Sequence, residues 1–424
     1  METEEGDDIA LNDVDSSQIT GKKSLSLKQK IIIFSSVGAV ILISLIVIIV
    51  LITSSSKNDK DESTYDLPKK GAIKCTYYIQ DVSSPTQLLG NDYEKGNSKL
   101  DFIVDGKKEK YSKSYSFSSQ GDHDIEINIY NDVLSMEKMF QNIESLTKVE
   151  LIPSENQIVK INSMISTFEG CVNLESFVNK GFNTDEVTSI HKLFFRTSLS
   201  DIKFDQFLST KNLMDMSYAF SYTKISTFNF DNYDTSKATN MSHMFEGCEN
   251  LINLDLSKID TSQVKDMSFM FSYLDALEEI DVTNFNTKNV INFSKMFSNC
   301  ISLKSLDLSS FDTSQVTDMS FMFENCFALK ELKVNNWITN NVENMAYMFQ
   351  YDVSLKELDL KKFNTDKVKN MSSLFDFCYG LNSLDMSSFD TSQVEDMSAM
   401  FRSCQNLKIL DVSKFSTEKV TNMS

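Results

Sequence analysis

Residues 303–326 read LKSLDLSSFDTSQVTDMSFMFENC, and the rest of the chain is a set of variations on them. With Val316, Met319, Met322 and Phe323 as markers, a step of 26 residues lands on Val264, Val290, Val342, Val368, Val394 and Val420. Backward, with small slips in spacing, weaker copies start at Ala238, Leu213, Val187, Ile161 and Val133. A fixed period in the twenties marks a solenoid, in which no unit can bury its apolar face alone and each stacks only on its neighbours. A length of 424 residues would otherwise suggest two or three globular domains. The repeat replaces that expectation.

Each unit has two halves. Leu303, Leu306, Leu308 and Phe311 recur as Leu277/Ile280/Val282/Phe285, Leu329/Leu332/Val334/Trp337 and Leu355/Leu358/Leu360/Phe363. The alternation around Leu306 and Leu308 predicts a short strand with one apolar face, and stacking aligns these strands into a parallel sheet. The second half, Val316, Met319, Met322, Phe323 and Cys326, has the 3, 3, 1, 3 spacing of one face of a short α- or 3₁₀-helix. Asp312, Thr313 and Ser314 supply oxygens suited to capping its start. The expected fold class is therefore an α/β solenoid, an array of about 26-residue strand-plus-short-helix turns.

Residues 1–30 begin acidic and aperiodic and read as a disordered cytoplasmic tail, closing with Lys22, Lys23, Lys28 and Lys30. Residues 31–52, IIIFSSVGAVILISLIVIIVLI, carry no charge. At about 1.5 Å per residue they reach about 33 Å, enough for a hydrocarbon core of about 30 Å. The segment starts too far from the N-terminus for an ordinary cleaved signal, so one uncleaved transmembrane helix is expected. The lysine flank places the N-terminus inside. The expectation is a single-pass type II protein of the plasma membrane, with the membrane as partner and the repeats extracellular. Residues 53–70 read as a polar stalk. Residues 71–132 alternate with β-branched and aromatic content and read as a small β-rich N-terminal cap for the open end of the array. Residues 133–424 are the solenoid. Its last repeat is incomplete, stopping at Ser424 after Val420 and Met423, which predicts a frayed final turn or a truncated chain.

Forty-one basic against sixty acidic residues leave a net charge of -19, which argues against nucleic acid and favours a cationic partner. His123, His191 and His243 fall at unrelated repeat positions, so no histidine metal site is expected. The methionines alternate with Leu374, Leu193 and Phe293, as packing residues do, rather than as copper ligands. Cys171, Cys248, Cys300, Cys326, Cys378 and Cys404 each follow the repeat's Phe by three residues, with Cys75 outside the array. A disulfide ladder is one reading. Core filling is favoured, because Leu274, Ile143 and Thr197 occupy the same register and would leave partners unpaired.

Residues 306–323, LDLSSFDTSQVTDMSFMF, and 384–404, LDMSSFDTSQVEDMSAMFRSC, resemble the BspA-like leucine-rich repeat of microbial and protist surface proteins. The resemblance is strong from Ala238 to the end and recognisable from Val133. It implies a curved leucine-rich-repeat solenoid at a cell surface, discussed in terms of adhesion. Some units depart from the pattern: Asn179 stands where a core Leu is expected, and Asp352 and Thr223 replace the Cys.

Solvent-side strand positions are where such solenoids usually make contacts. One column runs Asp255, Asp281, Asp307, Lys333, Asp359, Asp385 and Asp411, with Ser309 in the next column outward. These are the ligand-binding candidates, an acidic stripe for a cationic partner or divalent cations. The competing reading, which is favoured, is that each Asp hydrogen-bonds a neighbouring turn's backbone or hydroxyl and keeps the edge soluble. Asn240, Asn292 and Asn370, with Asn422, fit the N-x-Ser glycosylation pattern, but the repeat itself contains that pattern. No G-x-S-x-G, GK[ST], H-E-x-x-H or paired C-x-x-C occurs, so no enzyme and no cofactor are expected. The expected function is a non-catalytic adhesion or interaction module. The alternatives are a receptor-type signalling protein and a structural surface coat.

Overall fold

The computed structural model describes residues 67–202 and 209–424. Among them the repeats form a β-solenoid without an α-helix. The Met-rich half of each coil is a train of tight turns. In 319–326, the N–H groups of Met322, Glu324 and Cys326 donate back to the carbonyls of Met319, Phe321 and Phe323. Those of Met319, Phe321, Phe323 and Asn325 donate forward to Asn344, Ala346, Met348 and Gln350 of the next coil, at 2.8 to 3.0 Å. The carbonyls of Ser320, Met322 and Glu324 accept from Lys295, Phe297 and Asn299 of the coil before. Ser320 N–H goes to Asp318 Oδ1 at 2.8 Å. Half the backbone groups are thus satisfied within the coil and half between coils, which lets the segment lie in an apolar stack.

This train needs a left-handed residue every fourth position. Phe321 (φ 59°) and Asn325 (φ 62°) take those places, as do His243 and Gly247, Phe269 and Tyr273, and Tyr347 and Tyr351. A four-residue recurrence puts Met319, Met322, Phe323 and Cys326 on one face, as a helix would. The expected α/β strand-plus-short-helix architecture is therefore corrected to β-solenoid: the spacing is right and the backbone is different.

The expected transmembrane helix is corrected too. No helix among the described residues is long and apolar enough to cross a membrane. The segment 31–52 lies outside the described residues. The membrane as partner, the single-pass type II topology and the plasma-membrane location rested on that helix and are withdrawn with it.

The strand halves form short parallel pairs: Thr227–Asn229 with Asn253–Asp255, Ser305–Asp307 with Glu331–Lys333, and Ser383–Leu384 with Ile409–Leu410. Leu306 faces Leu332 in register and both are buried. Inside, the repeat's Phe residues stack from Phe140 through Phe168, Phe245, Phe297, Phe323 and Phe375 to Phe401, one ring per coil, with centroids 5.5 to 6.4 Å apart. Each ring contributes aromatic contact beyond its buried area.

Buried threonines staple the coils. Thr313 Oγ1 donates to the Ile338 carbonyl and accepts the Ile338 N–H, both at 2.8 Å. Thr235, Thr261, Thr287, Thr339, Thr365 and Thr391 repeat the exchange with Asp260, Asn286, Asp312, Asn364, Asp390 and Ser416. Thr313 therefore joins two coils rather than capping a helix. The thiols are used similarly. All seven cysteines are free, and Cys300, Cys326 and Cys378 donate Sγ–H to the carbonyls of Phe271, Phe297 and Phe349.

The N-terminal cap is continuous with the array. Its strands are β1 (Gly71–Ile79), β2 (Thr86–Gln87), β3 (Leu100–Val104), β4 (Lys107–Glu109), β5 (Ser114–Tyr115) and β6 (Gly121–Ile129). The first repeats add β7 (Val133–Ser135), β8 (Leu146–Pro153), β9 (Lys160–Ser163) and β10 (Ser176–Asn179). One sheet runs β10-β8-β1-β6-β3-β4 and so includes strands of the solenoid itself. Ile73, Cys75, Tyr77 and Ile79 of β1 point into the core, while Lys74 and Tyr78 face out. Asn179, where a Leu was expected, uses its side chain to tie down the chain reversal: Oδ1 accepts the Gly181 and Phe182 N–H groups and Nδ2 donates to the Phe182 carbonyl.

Replacing Thr313 by Val keeps shape but takes the Thr313 partner from both the N–H and the carbonyl of Ile338. Thr313→Val is expected to cost about 1–3 kcal/mol in denaturant unfolding, and Thr313→Ser clearly less.

Candidate functional site

Outward side chains of the array repeat once per coil, so the candidate surfaces there are ladders. On the strand face, each Asp of the expected column begins an Asx turn in its own coil. Asp281 Oδ1 accepts Thr283 N–H and hydroxyl at 3.0 and 2.6 Å, and Asp307 Oδ1 does the same for Ser309 at 3.1 and 2.6 Å. Asp255, Asp359, Asp385 and Asp411 accept the N–H of Ser257, Lys361, Ser387 and Ser413. Ser309 is thus a partner of Asp307. Lys333 answers Asp307 across the coils, Nζ to Oδ2 at 2.8 Å. The Lys333 ammonium and then the Ser309 hydroxyl and N–H hold the Asp307 carboxyl down at about 2. Hydrogen bonds from Thr283, Ser387 and Ser413 lower Asp281, Asp385 and Asp411. The structure therefore supplies a row of fixed carboxylates about one strand spacing apart, roughly 5 Å, broken once by Lys333.

A second polar column behaves differently. Bridges connect Asp215, Asn240, Asp266, Asn292, Asp318, Asn344, Asn370, Asp396 and Asn422 from coil to coil, and no two Asp are adjacent. Each Oδ1 again holds the N–H two residues on, as Asn292 does for Ser294 at 2.9 Å. Asn422 Nδ2 reaches Asp396 Oδ2 at 3.2 Å and Asn344 Nδ2 reaches Asp318 Oδ2 at 3.4 Å. The glycosylation candidates Asn240, Asn292 and Asn370 all sit in this half-buried ladder, and Ser242 and Ser372 of their motifs are buried.

A third feature was not read from the sequence. From Tyr218 to Tyr347, the first left-handed position of each turn train carries a half-buried aromatic or basic side chain, and these stack along the outside. Tyr218 lies 4.0 Å from His243, and His243 4.1 Å from Phe269. The Lys295 ammonium sits 5.0 Å from the Phe269 ring and 4.8 Å from Phe321, which stacks on Tyr347 at 4.5 Å. A parallel, shorter run at the second left-handed position joins Tyr351 to Phe377 at 4.5 Å, with Arg402 over Phe377. Gly247 keeps φ +70°, and a Cβ there would run into the Tyr222 ring that lies over it. The signal in the sequence was an aromatic or His immediately before the Met-Phe pair: His243, Phe269, Phe321, Tyr347.

Among the described residues no group of three or more His, Cys, Asp or Glu side chains is placed to hold a metal ion. In the cap, His123 Nδ1 meets Asp105 Oδ2 at 2.6 Å and Nε2 faces the Ser119 carbonyl at 2.9 Å. Burial pushes the imidazole down, but those two bonds outweigh it and hold its pKa above the ordinary value. With both nitrogens donating, His123 is an ion-paired strap and Nε2 is not free to take a proton from Ser119.

A family model described as "Mycoplasma protein of unknown function, DUF285" matches residues 111–230, 214–332 and 329–424. No curated protein matches. Among solved structures, the chain is similar to a leucine rich cell surface protein from Faecalibacterium prausnitzii A2-165, with 17% identity over 67% of this chain and 78% of that one, at a TM-score of 0.35. It is also similar to the functional domain of InlJ from Listeria monocytogenes, described as including a cysteine ladder, with 14% identity over 65% of this chain and 67% of that one, at a TM-score of 0.14.

Asn292→Asp places a carboxylate between Asp266 and Asp318. It is expected to cost on the order of 1–2 kcal/mol at neutral pH. In the variant the third carboxyl makes ionisation of the crowded set unfavourable in the folded state, so the loss should appear as pH rises through the carboxylate range and vanish below it. Denaturation midpoints against pH, compared with Asn292→Ser, measure this.

Proposed function

We propose that this chain, which belongs to the DUF285 family, is a non-catalytic interaction scaffold that contacts a protein partner along its outer aromatic ladder. One observation carries the reading: bulky aromatic residues are held at left-handed φ on the surface. Tyr218, Phe269, Phe321 and Tyr347 all have φ between 57° and 61°. Left-handed backbone costs such residues about 1–2 kcal/mol each, while a stacked pair returns about 0.5–1.5 kcal/mol. Their net contribution to stability is near zero, and Asn or Gly would fill the position without strain. Strain kept at outward, half-buried positions points to function. Aromatic side chains are also among the residues that dominate protein contacts.

The BspA-like resemblance of the repeats supports adhesion over catalysis. The engagement of both His123 nitrogens supports the same choice. The acidic strand face remains the second candidate surface, and its fixed carboxylates suit a cationic partner.

The test uses the full chain against a panel of cell-surface and matrix proteins. Phe269→Asn/Phe321→Asn/Tyr347→Asn should melt close to the parent and lose binding. Asp281→Asn/Asp385→Asn should leave binding largely intact and alter only its salt dependence. A triple variant that melts far lower yet still binds would show the ladder to be structural. Loss of binding only in the Asp pair would move the contact to the strand face.

A further inference from the structure

Asp352 breaks a column otherwise held by thiols on the coils around it: Cys300, Cys326, Cys378 and Cys404. Each of these thiols donates to the carbonyl of the stacked Phe in the preceding coil, Cys326 to Phe297 at 3.1 Å, Cys378 to Phe349 at 2.9 Å and Cys404 to Phe375 at 3.0 Å, always 29 residues back. The same offset from Asp352 leads to Phe323. The Asp352 side chain is fully buried. Its Oδ1 accepts the Cys326 N–H at 3.1 Å. Its Oδ2 is buried with no hydrogen-bond partner among the described residues. An ionised oxygen has nothing to offer a carbonyl, whereas a protonated one is a donor.

We propose that Asp352 is carried as a neutral carboxylic acid whose Oδ2–H takes over the thiol's role toward the Phe323 carbonyl, forming a proton-dependent tie between two coils of the array. The groups facing it agree. Cys326 and Glu324 approach from the preceding coil, and Cys378, with Asp376 beside it, from the following one. None is a cation, and the nearby Arg402 is spent on Asp376, with bonds of 2.8 and 2.6 Å. Burial first, and then the charge of Glu324, push the Asp352 carboxyl well above its ordinary range, against the opposing Cys326 N–H bond.

The sign of the effect follows. A carboxyl whose folded-state pKa is raised stabilises the fold fully below the ordinary carboxylate range, and that stability is lost as pH rises through the folded-state value. Ionisation leaves a charge between coils with no partner, so the array loosens there first. The tie is a pH-sensitive weak point at an internal coil boundary.

Two variants separate this from a general loss of packing. Asp352→Asn retains the shape and supplies an Nδ2–H donor, and Asp352→Cys restores the column. In the full chain, amide exchange over 342–380 should accelerate severalfold from mildly acidic to alkaline pH beyond the intrinsic chemical rate, and both variants should abolish that excess. The infrared spectrum should show a protonated-carboxyl band at neutral pH that is absent from both variants. Equal excess exchange in Asp352→Asn, or no such band in the parent, would overturn the proposal.

Discussion

A solenoid coil must pair its backbone with the coils on either side, at one pitch and in one register. Every other feature of this protein answers to that requirement. The turn train in 319–326 splits its N–H groups between its own carbonyls and those of the next coil. Once that register is set, each side chain lies over the equivalent side chain one coil away. A residue then has to be compatible with copies of itself. Phe is, because rings stack. Thr is, because one hydroxyl can serve both peptide groups of the residue above it. Cys is, because its thiol finds a carbonyl. Carboxylate over carboxylate is tolerated on the solvent-facing strand edge but not where it is half-buried, and the half-buried Asp/Asn column avoids it at each step.

Inward positions were legible because burial leaves the same trace in any backbone. Val316, Met319, Met322, Phe323, Leu306 and Leu308 are all buried. The conformation that links them was not legible in the same way. Two turns of four residues and a helix both bring residues three and four apart to one side, so periodicity cannot separate them. A discriminating signal existed at the second left-handed position, where Gly170, Gly247, Asn299 and Asn325 are residues that tolerate positive φ. Phe321 and Tyr347 hid the first. Thr313 carried another: its counterparts are all Thr, where a helix cap would accept Ser equally well, and the methyl group is buried.

The outward chemistry was half visible. The Asp column on the strand face was located, and its favoured role as a hydrogen-bonding edge has a concrete form in the Asp-x-Ser and Asp-x-Thr turns. These close within one coil, not between neighbours as expected. The aromatic ladder was missed because its members differ in type. Tyr218, His243, Phe269, Lys295 and Phe321 share a position and a stacking role while spanning four residue types, and only three-dimensional register makes them one surface.

The Asp/Asn alternation gives the array a parity. Coils that appear equivalent by their apolar positions are of two kinds, one presenting a carboxylate to its neighbours and one an amide. Removing a single amide coil, such as the one carrying Asn292, would bring Asp266 and Asp318 face to face. Removing two successive coils would preserve the alternation. Only at Asn344 and Asn370 does the pattern slip, and it slips toward two amides, which can still bond to each other. Such an array is built to be lengthened, shortened or spliced in pairs of coils, with a single coil as half of its true unit.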